Sequence, residues 1–139
     1  MTFTDCIHPE LLRALAAAGH GSNILIADGN FPADIGVPER TEKVFLNFAP
    51  NKPLVTEVLE TVTKLVNVES ALVAVLDDGK DTAIMKEFQE RLPKGVQMKK
   101  QGRWDFRASC MAPETGLLIQ TGDLRLYGCI LLTVGIRTE

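Results

Sequence analysis

The sequence predicts a single α/β domain of three α/β/α layers, in which helices cover both faces of a mostly buried sheet. The hydrophobic period switches repeatedly between that of a helix and apolar runs of strand length. Residues 71–76 form a continuous apolar run without a charged residue, which is typical of a strand buried on both faces. The length fits one domain over residues 1–139 with one substantial core. Alternating helices and buried strands therefore indicate stacked layers.

The chain begins with a helix predicted over residues 9–18. Pro9 suits the first helical position, three leucines form one apolar face, and Gly19 fits a left-handed position after the helix end. A short strand follows at residues 23–27. The next segment, up to Pro38, is rich in glycine and proline and unusually long for so small a domain. A loop of this kind often covers a site.

Three further helices and five further strands complete the prediction. The clearest helix, over residues 53–65, places six apolar residues on one stripe. The other helices are predicted at residues 81–92 and 105–111, and the strands at residues 43–48, 71–76, 96–99, 116–120 and 129–134.

Composition and charge argue against several classes of protein. Hydrophobic residues make up 45% of the chain and charged residues 24%, and the net charge of −3 predicts no binding of nucleic acid. Cys6, Cys110 and Cys129 are odd in number and widely spaced, so we expect a reducing cytoplasm rather than a disulfide framework. No apolar stretch approaches the length of a membrane span, and the N-terminus lacks a leader pattern. We expect a soluble, unprocessed protein with no membrane partner.

The sequence carries no signature of a cofactor or metal site. Gly19 and Gly21 follow a helix and enter a strand, unlike the glycines of a dinucleotide fingerprint. There is no P-loop and no nucleophile elbow, and His8 and His20 are too far apart for a local metal pair. We expect neither a cofactor nor a metal.

Two titratable residues lie at opposite ends of the predicted strand at residues 23–27. His20 lies between two glycines, which leave its imidazole uncrowded, and Asp28 follows the apolar run, where buried strands usually deliver functional groups. Together they indicate proton transfer on a small polar ligand. Each also has an ordinary interpretation: His20 as a polar turn residue, and Asp28 as a turn former before Gly29.

The C-terminal third adds further candidates. Arg103 and Arg107 combine two guanidinium groups with neighbouring aromatic rings, which suits a hydroxyl-rich ring but equally a subunit contact. Tyr127 is the only tyrosine and could simply anchor the last strand against the core. Cys110 is interpreted as an ordinary buried cysteine, because no candidate base lies near it in the sequence.

Four motifs together resemble one known family, that of L-fucose mutarotase and D-ribose pyranase. The resemblance spans nearly the whole chain, and its motifs are closer to the fucose branch. They are Ile7-His8-Pro9-Glu10-Leu11-Leu12, Gly19-His20-Gly21, Asp28-x-Asn30-Phe31-Pro32, and Thr121-Gly122 followed by Tyr127-Gly128.

The resemblance implies an enzyme that interconverts cyclic forms of a reducing sugar, either anomers or ring sizes, of the L-fucose or D-ribose type. It implies a mixed sheet, no cofactor and a ring-shaped homo-oligomer, a pentamer or decamer. His20 matches the proton donor of the family. The matching substrate-binding positions are Asp28, Arg103, Arg107, Tyr127, Gly128 and Cys129.

The chain also departs from its relatives. Cys129 stands where they carry an asparagine, which exchanges an amide for a weakly hydrogen-bonding thiol and predicts the loss of a direct sugar contact. Arg107 stands where the fucose branch carries a tyrosine, and Asn67 where some members carry an acidic residue. The sugar could therefore differ. Two alternatives stay open: a non-catalytic sugar-binding protein accessory to transport or regulation, and a structural oligomer with a vestigial site.

Strand geometry adds an expectation about assembly. A five-residue strand between His20 and Asp28 separates them by more than about 10 Å. One subunit would then not close the site. If His20 of one chain meets the loop of its neighbour, the contact is head-to-tail and generates a closed ring when the rotation closes. We therefore expect sites near subunit interfaces.

Overall fold

The computed structural model describes residues 1–139, and its helices and strands alternate along most of the chain. The helices are α1 (Pro9–Ala17), α2 (Val55–Leu65), α3 (Ile84–Arg91) and α4 (Arg103–Cys110). The strands are β1 (Asn23–Ala27), β2 (Glu42–Phe45), β3 (Val68–Val75), β4 (Gln97–Gly102), β5 (Thr115–Gln120) and β6 (Ile130–Val134). The helices, of eight to eleven residues, fall short of the length and apolar character that crossing a membrane requires.

The six strands form one mixed sheet in the order β2-β5-β1-β6-β3-β4. β6 runs antiparallel to both of its neighbours, β1 and β3, and the other pairs are parallel. β1 therefore lies in the interior of the sheet, with β5 on one side and β6 on the other. Its residues Ile24 to Ala27 are fully buried, which explains why these four residues are all apolar.

Alternate residues of β1 face two different core clusters. Ile24 and Ile26 pack with apolar residues of α1, α2 and α3, whereas Leu25 and Ala27 pack with Phe106 of α4 and with the loop after β1. Because successive strand residues point to opposite faces, three helices cover one face of the sheet and α4 with the loop covers the other. This confirms the predicted layers of helix, sheet and helix.

The predicted helices and strands are all present, and most of them begin or end at residues other than the predicted ones. β1 and the predicted strand at residues 23–27 coincide. β3 begins at Val68, three residues before the apolar run, because Val68 and Ser70 still pair with β6. β2 ends at Phe45 rather than at residue 48, because the chain turns back on itself and Phe48 donates to the carbonyl of Leu46.

The prediction for Gly19 is wrong. α1 ends with Ala18 in an extended conformation, and Gly19 is not left-handed. The left-handed glycine is Gly21, whose φ is 82° and whose amide donates to the carbonyl of Val134 at 2.9 Å. The chain therefore reverses after His20 rather than before it, and this turn joins the histidine to the end of β6.

Asp123 is a fully buried charge that the sequence did not single out. Its Oδ2 accepts from the amide of Val55 at 3.0 Å, at the start of α2, and from Nη2 of Arg125 at 2.7 Å. Arg125 also donates to Glu87 of α3. Burial alone would raise the pKa of the Asp123 carboxyl, but the hydrogen bonds from Arg125 and Val55 outweigh burial and hold the pKa below its ordinary value.

Replacing Asp123 with alanine is expected to lower the free energy of unfolding by about 2–4 kcal/mol, because Arg125 and the start of α2 lose a buried charged partner. The folded-state pKa is below the ordinary value, so this stabilisation is complete above the ordinary pKa of a carboxyl and is lost as pH falls through the folded pKa. Urea unfolding at neutral and acidic pH measures both effects. A variant as stable as the original chain at neutral pH would contradict them.

Candidate functional site

A cleft of about 380 Å³ opens where β1 ends, between the loop after β1, the segment before β6 and α4. This volume lies within the range of small-molecule sites. The cleft brings together five of the predicted binding residues: Asp28, Arg103, Arg107, Tyr127 and Cys129. More than half of its lining is apolar, so a few polar groups face a largely hydrophobic wall.

Asp28 is a buried carboxylate at the end of β1, with 8% of its surface exposed. Its Oδ1 accepts from the amide of Asn30 at 2.9 Å, and its backbone carbonyl accepts from the side-chain amide of Gln120. Burial raises the pKa of the Asp28 carboxyl, and hydrogen bonds, chiefly from the Cys129 thiol, oppose the rise only in part. Asp28 therefore stabilises the turn before Asn30 and also places a carboxylate in the cleft.

Cys129 makes two hydrogen bonds to Asp28. Its Sγ accepts from the amide of Asp28 at 3.4 Å, and its thiol donates to Oδ2 at 3.3 Å. Burial raises the pKa of the thiol well above its ordinary value, and the charge of Asp28 raises it further. Cys129 is therefore a neutral donor to the carboxylate and not a thiolate nucleophile.

Tyr127 enters the cleft from a backbone conformation that bulky residues rarely adopt. Its φ is 58°, in the left-handed region, and strain of this kind is concentrated at functional sites. The adjacent Gly128 is required by close packing, since a Cβ there would lie 2.9 Å from the carbonyl oxygen of Arg125 and 3.0 Å from Cβ of Asp28. Tyr127 also packs against the core cluster behind the cleft, so the anchoring interpretation holds alongside its exposure to the cleft.

The two arginines of α4 are held by aromatic rings. The guanidinium of Arg107 lies 5.3 Å from the ring centre of Phe31, which the loop after β1 supplies. Arg103 lies over Trp104 at 4.9 Å, and its Nε is 3.3 Å from a carboxylate oxygen of Asp77. The long irregular loop thus contributes to the site, as the sequence predicted, and Arg107 faces the cleft.

His20 lies at the other end of β1, outside this cleft. Its Nε2 is 3.3 Å from Oε2 of Glu69 on β3, and both side chains are about half exposed. Glu69 is a functional candidate that the sequence did not reveal. Glu69 is the one charged residue of β3, but it precedes the apolar run at residues 71–76, and its partner is distant in the sequence. The structure therefore keeps apart the proton-transfer candidate and the binding candidates of one chain.

Cys110 and the remaining titratable groups form no further reactive centre. Cys110 is fully buried, and burial raises the pKa of its thiol to about 12, as expected of an inert core cysteine. No three histidine, cysteine, aspartate or glutamate side chains lie close enough together to hold a metal ion.

Fold and cleft together define an α/β protein with a mixed sheet and a cleft of small-ligand size where the interior strand β1 ends. Comparison with known proteins gives the family. Residues 1–137 match the model of the RbsD / FucU transport protein family, and the chain belongs to it. This confirms the resemblance drawn from the motifs.

Relatives of both branches match over almost the full chain. A D-ribose pyranase of Variovorax paradoxus is 30% identical over 98% of each chain, and a fucose mutarotase of Bos taurus is 29% identical over 94% of this chain and 89% of its own. Among solved structures, Bacillus subtilis RbsD complexed with D-ribose matches with a TM-score of 0.84 at 20% identity, covering 99% of this chain and 100% of the other. The fucose mutarotase of Streptococcus pneumoniae in complex with L-fucose matches with a TM-score of 0.79 at 19% identity and the same coverage. The fold is that of these structures.

Proposed function

We propose that this chain is a sugar mutarotase, an isomerase that interconverts the cyclic forms of a reducing monosaccharide of the L-fucose or D-ribose type. Its relatives named D-ribose pyranase and fucose mutarotase support the class of reaction. The observation that carries the proposal is the cleft itself, in which a buried carboxylate, an arginine and a tyrosine face apolar walls. This combination suits a ring with hydroxyls on its edge and C–H groups on its faces.

The reaction needs one acid–base group. Opening a hemiacetal requires a proton on the ring oxygen and removal of the proton from the anomeric hydroxyl, and closing on the other carbonyl face or through another hydroxyl changes the anomer or the ring size. An imidazole both donates and accepts near neutral pH. In our proposal His20 does so through Nδ1, because its Nε2 faces Glu69, which orients the ring.

The cleft residues hold the sugar. Asp28 accepts hydrogen bonds from ring hydroxyls, and Arg103, Arg107 and Tyr127 donate to them. Gly128 supplies the close backbone approach that keeps Asp28 in place. Cys129 contributes through Asp28, to which its thiol donates, and by lining the cleft. No cofactor takes part in the proposal.

The complete site is proposed to form between two copies of the chain. β1 has five residues, a length of about 16 Å, and it separates His20 from Asp28. Leu126 and Trp104, at the cleft, are 77% and 71% exposed, and large apolar side chains at a rim suit a partner surface. A head-to-tail contact that brings His20 of one copy to the cleft of the next closes into a ring, a pentamer or decamer.

Exchange spectroscopy by NMR on a panel that includes L-fucose and D-ribose tests the proposal. The protein is expected to accelerate exchange between the anomeric signals of at least one sugar. Ligand-induced shifts without accelerated exchange would instead support the sugar-binding alternative. Full activity per chain in a dilute, demonstrably monomeric preparation would contradict the shared site.

A further inference from the structure

Both hydrogen-bonding functions of Cys129 are used inside the protein. A thiol has one proton and accepts weakly. Here the proton is directed at Oδ2 of Asp28 at 3.3 Å, and the sulfur accepts from the amide of the same residue at 3.4 Å. The small exposed part of Cys129 lines the cleft. It therefore offers a ligand a polarizable sulfur surface with no free donor.

The surroundings of Cys129 extend this apolar surface. Ala74 and Phe106 are each about 5% exposed or less, belong to the same core cluster as Cys129, and line the same cleft. Burial also raises the pKa of the thiol well above its ordinary value, so the proton stays on sulfur at neutral pH. The wall beside Asp28 is thus uncharged and without a side-chain hydrogen-bond partner for a ligand.

A sugar bound to Asp28 meets this wall with its next substituent. Oδ2 and Sγ lie 3.3 Å apart, so a ring whose hydroxyl binds Oδ2 presents the substituent of a neighbouring carbon to Sγ. A hydroxyl directed at Sγ leaves water and gains no partner from Cys129, Ala74 or Phe106, which is unfavourable. A hydrogen at that position packs on the sulfur without that loss.

We propose that Cys129 is a specificity-determining residue through which the cleft selects deoxy aldoses. These are reducing sugars that carry a hydrogen in place of a hydroxyl on the carbon next to the one whose hydroxyl binds Asp28. The inference rests on the proposed function only in requiring that the cleft binds a sugar. An asparagine at this position would offer an amide to the same substituent.

Matched sugar pairs test the inference. D-ribose is compared with 2-deoxy-D-ribose, D-galactose with 2-deoxy-D-galactose, and L-fucose with 2-deoxy-L-fucose. Affinity is measured by calorimetry and catalysed exchange by NMR on the same samples. In at least one pair the deoxy member is expected to be preferred about tenfold, the effect of one unmade hydrogen bond.

Three variants separate the thiol's surface from its other effects. Cys129→Asn is expected to shift the ratio about tenfold towards the hydroxylated sugar. Cys129→Ala, which stays apolar, is expected to keep the deoxy preference. Cys6→Ala removes the buried thiol of the other core cluster and serves as the matched control. Ala74→Ser, which adds a hydroxyl to the same wall of the cleft, replaces Cys129→Asn if the latter does not fold, and is expected to shift the ratio in the same direction.

The outcomes distinguish this inference from the proposed function. A deoxy preference in binding without any exchange would contradict the mutarotase and support the inference. Exchange with equal or better use of the hydroxylated member of every pair would overturn the inference and leave the mutarotase standing. A ratio unchanged by Cys129→Asn, or by Ala74→Ser where that variant takes its place, would also overturn it, and binding of no sugar at all would overturn both.

Discussion

Substitution of His20 by alanine is expected to lower the rate of catalysed sugar exchange by about 10²–10⁴-fold, the usual contribution of a positioned acid–base group. In the proposed reaction, His20 alone both donates and accepts the proton. Sugar affinity is expected to change little, because the hydroxyl contacts come from the cleft. The measurement is exchange NMR at several sugar concentrations, which separates kcat from KM.

A matched histidine provides the control for this prediction. His8 caps α1, where its Nδ1 accepts from the amide of Leu11 at 3.2 Å. His8→Asn keeps a capping side chain, so it is expected to leave exchange unchanged. Glu69→Gln, which removes the charge facing Nε2 of His20, is expected to lower kcat by less than His20→Ala does. If His20→Ala were fully active, His20 would not be the proton donor.

Replacing Asp28 with asparagine is expected to weaken sugar binding by about 10- to 150-fold while making the folded chain more stable at neutral pH. The loss of affinity follows from replacing charge-assisted hydrogen bonds to hydroxyls by neutral ones. The gain in stability follows from burial, which makes the ionised carboxylate unfavourable in the folded state. Function and stability thus oppose each other at this residue.

The sign of the pH dependence provides a second readout. Because the folded-state pKa of Asp28 is raised above its ordinary value, the penalty is absent below the ordinary pKa, grows as pH rises from the ordinary to the folded pKa, and is complete above the folded pKa. The difference in Tm between Asp28→Asn and the original chain is therefore expected to be largest at neutral pH and to vanish in acid. Asp78→Asn is the control, since Asp78 makes the same bond to the amide two residues on, in an exposed loop. A difference in Tm that grew towards acid pH would contradict the assignment.

The sequence predicted the fold well because local patterns and core burial agree. β1 is apolar from Ile24 to Ala27 and lies between two strands in the sheet, so its position follows from its composition. α2 likewise follows from one apolar stripe. The ends of β2 and β3 were missed because pairing partners set them, Gln120 of β5 for Phe45 and Val134 of β6 for Val68, and no local pattern encodes a partner.

Site residues that come directly after a strand or belong to a sequence motif could be predicted. Asp28, Arg107 and Tyr127 are of this kind, and they meet in the cleft. The site was not predictable where two distant residues share one contact. Glu69 reaches His20 only because β3 and the turn after α1 meet at the end of β6. The left-handed conformation of Tyr127 is also a tertiary effect, since neither its own side chain nor its local sequence favours a positive φ.

The most direct test of the shared site is complementation between two defective variants. His20→Ala and Asp28→Asn chains are co-expressed in equal amounts, so that their copies mix in one oligomer, and catalysed exchange is measured at low sugar concentration. If each site takes His20 from one copy and Asp28 from the next, about a quarter of the sites in a random mixture are intact, and kcat/KM recovers to about a quarter of that of the original chain. If the mixture is only as active as the average of the two variants, one chain holds the whole site and the account is contradicted.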